Sequence, residues 1–338
     1  MAEQERGEDK PKEAKPEKAK SSVPFDYHSS RFFSLLFLAV YIVAVTIFCV
    51  EYHIIPGPEF LVLGIIFFAA YNKQTYRALK DWLPFITVFL SYEVMYSFVG
   101  TVSSSNLHTG PELIDTHLFG QIPSIILQQN IRLPVLDYMG AFFYSIYFFV
   151  PTIFAYVVWR TSPKNYWKYT VAFGVLTYSA LITFLFYPVA PPWIQYSSIM
   201  NPSYTGPQVI RVLTGSVDPS LGLPVYKTMF DFLSGNNYAA FPSMHSAIPF
   251  LVFIFAFKIW KWKALPVAAI PIGTWFSAVY LGEHYFTDVV AGIIYALVAY
   301  FAVEKLLPYV SCRIGLLQKH VPTEMVKKSK PETAQPAQ

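Results

Sequence analysis

The sequence predicts an all-α integral membrane protein with about eight transmembrane helices. Hydrophobic residues make up 54% of the chain and charged residues only 14%, whereas a soluble domain carries roughly 25% charged residues. The apolar residues form long runs, each near the roughly 20 residues that cross a bilayer as a helix. Lysine and arginine gather between alternate runs, as they do on the cytoplasmic side of membrane proteins. These observations exclude an ordinary soluble domain.

Eight apolar segments divide the chain. They cover residues 32–50, 54–71, 82–100, 138–159, 169–187, 244–257, 264–281 and 285–307. The first two segments predict a pair of N-terminal spans within residues 30–75, and the other six predict a membrane domain over residues 76–308. Residues 1–29 are rich in charge and poor in apolar side chains, which predicts a disordered tail. Residues 309–338 predict a second tail of the same kind.

The basic residues orient the predicted spans. With the N-terminus in the cytoplasm, the inner loops contain nine cations: Lys73, Arg77, Lys80, Arg160, Lys164, Lys168, Lys258, Lys261 and Lys263. The longer outer connections contain only Arg132, Arg211 and Lys227. This asymmetry satisfies the positive-inside rule at every inner turn. The topology therefore places both tails in the cytoplasm.

Two short strings place histidines at the outer ends of predicted spans. His245 lies in FPSMHSA, and His284 lies in GEHYFTD, four residues before Asp288. The topology puts both strings on the extracytoplasmic side at the same depth. Ionisable side chains such as Asp288 are costly within a span and usually face a polar cavity or a partner. The sequence therefore predicts an active site on the extracytoplasmic side.

The three side chains fit phosphoryl transfer through a phosphohistidine. A neutral imidazole is a competent nucleophile, which suits His284. Asp288 is expected to accept a hydrogen bond from the far ring nitrogen of His284, at roughly 2.6–3.2 Å, and so to fix its tautomer. His245 is expected to donate a proton to the departing oxygen as general acid.

Phosphate binding is predicted to need neither a metal nor a cofactor. The positive ends of two helices can meet a phosphate, and the Ser243 hydroxyl adds a donor. Arg211 and Lys227, from the long outer loop, are the expected cations, with Arg132 as a third candidate. No cluster of carboxylates that would hold Mg²⁺ surrounds the histidines in the sequence.

The motifs support a family assignment. FPSMHSA followed by YLGEHYFTDVVAG resembles the second and third signature motifs of the type 2 phosphatidic acid phosphatase superfamily, and more closely its inositol phosphorylceramide synthase branch. The strings YPVAPPW, DWLPF and LIDTHLFG are similar to elements of the same branch. The resemblance implies the same roles for His284, Asp288 and His245, on a six-helix core.

Three departures from the superfamily pattern bear on phosphate binding. The first superfamily motif, with its lysine and Arg-Pro pair, is absent from this sequence. Ala278 follows Ser277 where the third motif has arginine, and Met244 stands where most phosphatases have glycine. These departures favour the synthase-like branch, but they also remove the usual phosphate-binding cations.

The leading functional prediction is a membrane lipid phosphotransferase, an inositolphosphotransferase that moves a headgroup phosphate to a lipid hydroxyl. One alternative is a lipid phosphatase acting on a polyprenyl diphosphate or a phosphatidate, with water as acceptor. Another is a non-catalytic transporter or scaffold, for which the three site residues would not converge. Membrane lipids are the expected partners and nucleic acid is not. Nothing in the sequence predicts an oligomeric state.

Overall fold

The computed structural model describes residues 30–51, 60, 62–65, 75–102, 107–233 and 236–306. The predicted tails, 1–29 and 309–338, and most of the second apolar segment lie outside these residues. Regular structure in the described part is helical, and an isolated parallel bridge joins Val189 to Ala239. The prediction of an all-α protein is confirmed at this level.

Helices occupy the described apolar segments in the predicted order. The first group is α1 Ser30–Glu51, α2 Thr75–Val102, α3 Gly110–Phe119, α4 Pro123–Asn130, α5 Pro134–Ile146, α6 Val150–Thr161 and α7 Pro163–Phe186. After a long connection come α8 Val225–Leu233, α9 Met244–Trp260, α10 Ala269–Tyr280 and α11 Phe286–Phe301. Short turns stand between them: Pro192–Gln195, the π-turn Leu213–Val217, Asp218–Leu221 and the 3₁₀ segment Lys261–Ala268.

Two stretches of the described chain are long and apolar enough to cross a membrane as single helices. They are α7 and the segment Phe286–Leu306, which joins α11 to a π-helical end. The pair α5 and α6 adds a third if it counts as one span bent by 49°. Pro151 lies at the start of α6, where its missing N–H interrupts the hydrogen-bond ladder. The count of eight spans stays a prediction.

An aromatic core holds the long helices together. Phe85 of α2 packs on Phe173 of α7, with ring centroids 5.3 Å apart. Tyr169, one turn earlier on α7, meets the edge of Phe255 on α9 at 5.6 Å. All four rings are buried. At the predicted cytoplasmic end, Glu304 accepts hydrogen bonds from Lys168 and Lys258, which fastens three chain segments together.

The beginnings of α9 and α11 are in direct contact through hydrogen bonds. The Ser243 N–H donates to the Asp288 carbonyl at 3.0 Å, and the Ser246 hydroxyl donates to the Val289 carbonyl at 2.8 Å. Gly292 permits this approach, because a Cβ there would overlap the Ser246 hydroxyl and the Ser243 carbonyl oxygen. This contact sets the two histidine motifs side by side.

We expect Gly292→Ala to destabilise the protein, since the added methyl meets backbone atoms that cannot move aside. Overpacking of this kind costs about 1–3 kcal/mol. Thermal unfolding in detergent and enzyme turnover measure the effect. Gly174→Ala in α7 is the matched control, because its Cβ would meet Val88 at an ordinary 3.5 Å. Equal melting temperatures for the two variants would contradict the role given to Gly292.

Candidate active site

The structure brings the two predicted histidines into direct contact. His245 is the second residue of α9, and His284 lies in the turn that precedes α11. The Nδ1 atom of His245 and the Nε2 atom of His284 are 3.3 Å apart. Both side chains line one cavity. The two histidines thus meet at one cavity as the sequence predicts, whereas Asp288 is not among the residues that line it.

Asp288 lies beside His284 but does not form the predicted hydrogen bond. Its Oδ2 atom is 3.7 Å from the Nδ1 atom of His284, beyond the expected 2.6–3.2 Å. The same oxygen instead accepts the backbone N–H of Tyr285 at 2.8 Å, which caps the first turn of α11. The prediction failed because His284 precedes the helix, so helical four-residue spacing does not apply to this pair.

The carbonyl of Ala240 takes the orienting position instead. It lies 2.9 Å from the Nδ1 atom of His284. Since a carbonyl only accepts, Nδ1 carries the proton in the neutral ring and Nε2 keeps its lone pair. That lone pair accepts from the Nδ1–H of His245. The ring nitrogen that keeps its lone pair is therefore the one that faces the second histidine.

The proline-rich string YPVAPPW explains how Ala240 reaches the site. The Val189 N–H donates to the Tyr238 carbonyl at 2.8 Å, and the Ala240 N–H donates to the Val189 carbonyl at 3.2 Å. These two bonds hold the segment before α9 against the proline-rich segment. The carbonyl of Ala240 is thereby free to bind His284. Sequence reasoning had assigned this string no part in the site.

Aromatic rings hold His245 on two sides. Tyr144 stacks on its imidazole with centroids 3.9 Å apart, and Tyr147 lies at 4.1 Å. Two rings at these distances cannot share one face, so the imidazole is sandwiched between them. Its Nε2 atom is buried and makes no hydrogen bond within the described residues.

The cavity has a volume of about 120 Å³. Its polar lining combines the histidines with an ion pair and two side chains that carry unpaired N–H groups. These residues are His245, His284, Arg211, Glu283, Trp193 and Asn236. The rest of the wall is largely aromatic and apolar. A small polar group attached to an apolar chain fits such a lining.

Arg211 is the predicted cation that the structure places in the cavity. Its Nε and Nη2 atoms donate to the two carboxylate oxygens of Glu283 at 2.7 Å and 3.1 Å. The guanidinium also lies 4.1 Å from the ring centroid of Trp193 and 3.6 Å from that of Phe230. Burial lowers the pKa of Arg211, but the Glu283 carboxylate outweighs it and leaves that pKa above its usual value. The side chain is held charged and in one orientation.

The other predicted phosphate ligands lie elsewhere. Lys227 is exposed on α8 and pairs with Asp231 at 2.5 Å. The Ser243 hydroxyl is fully buried and accepts the Ser246 N–H as the cap of α9. Arg132 lies 3.7 Å from Asp137. None of the three predicted ligands lines the cavity. Lys227 instead pairs with Asp231, one turn farther along α8.

Asp115, on α3, is a positioning residue that sequence reasoning missed. Its carboxylate accepts the backbone N–H groups of Phe286 at 2.7 Å and Thr287 at 2.9 Å. It also accepts the Thr287 hydroxyl at 2.6 Å. Burial raises the pKa of Asp115, and the hydrogen bonds from Thr287 and Phe286 offset only part of the rise. The string LIDTHLFG thus caps the helix that follows His284.

This arrangement contains groups that phosphoryl transfer can use. A fixed imidazole presents a lone pair, a second imidazole can exchange a proton, and a guanidinium meets negative charge. Within the described part of the chain, no three His, Cys, Asp or Glu side chains are grouped so as to hold a metal ion. The fold and the site define a helical membrane enzyme that acts on phosphate esters.

A family comparison agrees with this class. The PAP2 superfamily model matches residues 111–302, which is more than half of the chain. The chain therefore belongs to the PAP2 superfamily, and the predicted enzyme class, a phosphotransferase or phosphatase, is confirmed. The match includes the segments that carry Asp115, Arg211 and both histidines.

Three curated proteins show the similarity. Phosphoinositol dihydroceramide synthase of Bacteroides thetaiotaomicron is 26% identical over 75% of this chain and 83% of its own. Inositol phosphorylceramide synthase of Candida albicans is 27% identical over 58% of this chain and 42% of its own. The catalytic subunit of the Saccharomyces cerevisiae synthase is 31% identical over 34% and 28%. The chain thus spans less than half of both fungal relatives. No solved structure matches it.

Removing the Asp115 carboxylate should loosen the start of α11. Asp115→Ala leaves two backbone N–H groups without a partner, and losing such a cap costs about 0.5–2 kcal/mol. We expect a lower melting temperature and a reduced turnover number. Asp231→Ala, at an exposed carboxylate, is the control and should change stability by less than about 0.5 kcal/mol. An unchanged melting temperature for Asp115→Ala would show that the cap is dispensable.

Proposed function

We propose that this protein moves a headgroup phosphate, with inositol phosphate as the leading candidate, from a donor lipid to a lipid hydroxyl. The names of the relatives support this choice of headgroup. The observation that carries the chemistry is the Nε2 atom of His284, held with its lone pair toward His245 by the Ala240 carbonyl. We further propose that His284, His245 and Asp288 act as nucleophile, acid–base and electrostatic partner.

In the first step, the Nε2 lone pair of His284 attacks the phosphorus of the donor lipid. The bond between phosphorus and the departing lipid oxygen breaks, and protonated His245 gives that oxygen a proton. The products are a free lipid alcohol and a phosphohistidine that carries the headgroup. The attacking lone pair is the one that accepts from His245, so the substrate has to displace this hydrogen bond.

The second step reverses the roles. His245, now neutral, takes the proton of the acceptor hydroxyl while its oxygen attacks phosphorus. The N–P bond breaks, and the electron pair returns to His284. Asp288, at 3.7 Å, stabilises the positive charge that the His284 ring carries in the intermediate. Arg211 neutralises charge on the phosphoryl oxygens throughout.

The topology belongs to the same proposal. Eight spans, two of them ahead of a PAP2-type domain over residues 76–308, place both tails in the cytoplasm. The positive-inside pattern of lysine and arginine supports this orientation. It puts the cavity on the extracytoplasmic side, where the substrates would be lipids of the outer leaflet.

Adding or omitting a lipid acceptor distinguishes a transferase from a hydrolase that uses the same residues. The purified protein is incubated with labelled phosphatidylinositol, in excess chelator, with and without ceramide-like and diacylglycerol acceptors. We expect a labelled inositol phospholipid other than phosphatidylinositol to form only when a ceramide-like acceptor is present, at a rate that the chelator leaves unchanged. Transfer to diacylglycerol would regenerate the donor lipid itself. Free inositol phosphate released without acceptor would favour a phosphatase, and Mg²⁺-dependent recovery from the chelator would contradict metal-free catalysis.

Alanine substitutions of the two histidines should affect turnover and the phosphoenzyme differently. His284→Ala removes the nucleophile and should abolish both turnover and the acid-labile phosphoenzyme. His245→Ala should lower turnover by about 10²–10⁴-fold, the range of general acid–base catalysis. It should still accumulate phosphoenzyme from a donor with a good leaving group. Labelled phosphoenzyme in His284→Ala, together with its absence in His245→Ala, would reverse the assignment.

Arg211 and Lys227 form a matched pair of cations from the same outer connection. Arg211→Ala removes a charge from the cavity and should lower the turnover number by about 10²–10³-fold. Lys227→Ala removes an exposed charge already paired with Asp231 and should leave the rate unchanged. Steady-state kinetics on both variants measures how much each cation contributes to turnover. Similar losses in both would mean that long-range charge matters more than contact.

A further inference from the structure

Two buried N–H groups in the cavity wall have no hydrogen-bond partner within the described residues. They are the indole Nε1–H of Trp193 and the carboxamide Nδ2 of Asn236. Folded proteins pair nearly all buried donors, because leaving one unpaired costs about 1–3 kcal/mol. Donors left unpaired in the wall of a polar cavity therefore point to acceptor atoms of a ligand.

The orientation of Asn236 is fixed by its neighbours. Its Oδ1 atom accepts the backbone N–H of Tyr238 at 3.0 Å, and its main-chain carbonyl accepts the Tyr96 hydroxyl at 3.1 Å. Exchanging the side-chain oxygen and nitrogen would set an NH₂ group against an N–H group, so the assignment is settled. Asn236 is only 6% exposed. Its Nδ2 atom therefore stands in the cavity wall as a preorganised donor.

Trp193 is held equally firmly. Its main-chain N–H donates to the Gly282 carbonyl at 3.0 Å, next to the turn that carries Glu283 and His284. Its ring lies against the guanidinium of Arg211, 4.1 Å from centroid to Cζ. The indole is thereby fixed against the cation, in the wall of the cavity that His284 also lines. In the sequence, Trp193 is the last residue of the proline-rich string YPVAPPW.

The balance of donors and acceptors identifies the ligand group. Arg211 binds Glu283 through Nε and Nη2, and its Nη1 atom makes no hydrogen bond within the described residues. Three sets of N–H groups are thus available, on Arg211, Trp193 and Asn236. The Glu283 carboxylate also lines the cavity, and both of its oxygens accept from Arg211. The oxygens of an ionised phosphoryl group only accept, so they suit a guanidinium and two further N–H donors.

We propose that Trp193 and Asn236 donate hydrogen bonds to the non-bridging oxygens of the phosphoryl group, alongside Nη1 of Arg211. These neutral donors supply part of the charge stabilisation that the missing superfamily cations would give. The inference rests on the proposed function for the identity of the lipid. Its chemical content, a site for a tetrahedral oxyanion, does not depend on which headgroup the phosphate carries.

Two substitutions test the proposal. Trp193→Phe keeps an aromatic ring under Arg211 and removes the N–H. Asn236→Asp keeps the acceptor for the Tyr238 N–H and replaces the donor by a carboxylate oxygen. We expect inorganic phosphate to inhibit turnover of phosphatidylinositol about 10-fold to 100-fold less well in Trp193→Phe, the loss of one hydrogen bond to a charged group. Asn236→Asp should lose more, since its carboxylate also repels phosphate.

A second measurement is independent of the lipid. Phosphate that binds the folded protein raises its melting temperature, by an amount that grows with the ratio of the phosphate concentration to its Kd. We expect this rise for the unaltered protein and for the controls Trp262→Phe and Asn130→Asp, at two exposed residues away from the cavity. It should shrink in Trp193→Phe and vanish in Asn236→Asp, while the melting temperatures without phosphate stay within a few degrees of one another.

The outcomes separate this proposal from the proposed function. Unaltered phosphate inhibition and unaltered thermal shifts in both site variants would overturn the roles of Trp193 and Asn236, whatever the lipid. An absent phosphate shift in the unaltered protein would overturn the oxyanion site itself. A clear phosphate shift without turnover of phosphatidylinositol would refute the proposed substrate and leave the oxyanion site supported.

Discussion

The contact between the beginnings of α9 and α11 is the constraint on which the site depends. The Ser243 N–H and the Ser246 hydroxyl bind carbonyls at the start of α11, and Gly292 leaves room for them. Two histidines 39 positions apart meet at 3.3 Å only because these helix ends touch. The aromatic core farther along the helices stabilises the bundle. It does not by itself fix the distance between the two imidazoles.

Around this contact, the outer connections position the residues of the site. The orienting acceptor for His284 comes from irregular chain rather than from a helix. The bridge between Val189 and Ala239 provides it by presenting the Ala240 carbonyl. Asp115 stabilises the start of α11 through an acceptor as well. Its carboxylate accepts two backbone N–H groups that have no partner within the helix.

The charges of the cavity are arranged around one cation. Arg211 forms an ion pair with Glu283 and packs against the rings of Trp193 and Phe230. Its Nη1 atom has no hydrogen-bond partner within the described residues. A fixed guanidinium needs little reorganisation when charge develops on a phosphoryl group, which is the basis of electrostatic preorganisation. The same pairing keeps the cavity close to neutral, so the positive charge on a histidine during catalysis meets no uncompensated cation.

The sequence by itself determined the helical membrane class and the two histidine motifs, and it named Arg211 as one of three candidate cations, because apolar runs, charge asymmetry and motif spacing are local properties. Tertiary structure alone decided which atoms meet. Asp288 proved to cap its own helix while a distant carbonyl orients His284, and Lys227 proved to pair with Asp231 on its own helix. Backbone carbonyls carry no signature in a sequence, and the loops that position them are placed by long-range packing.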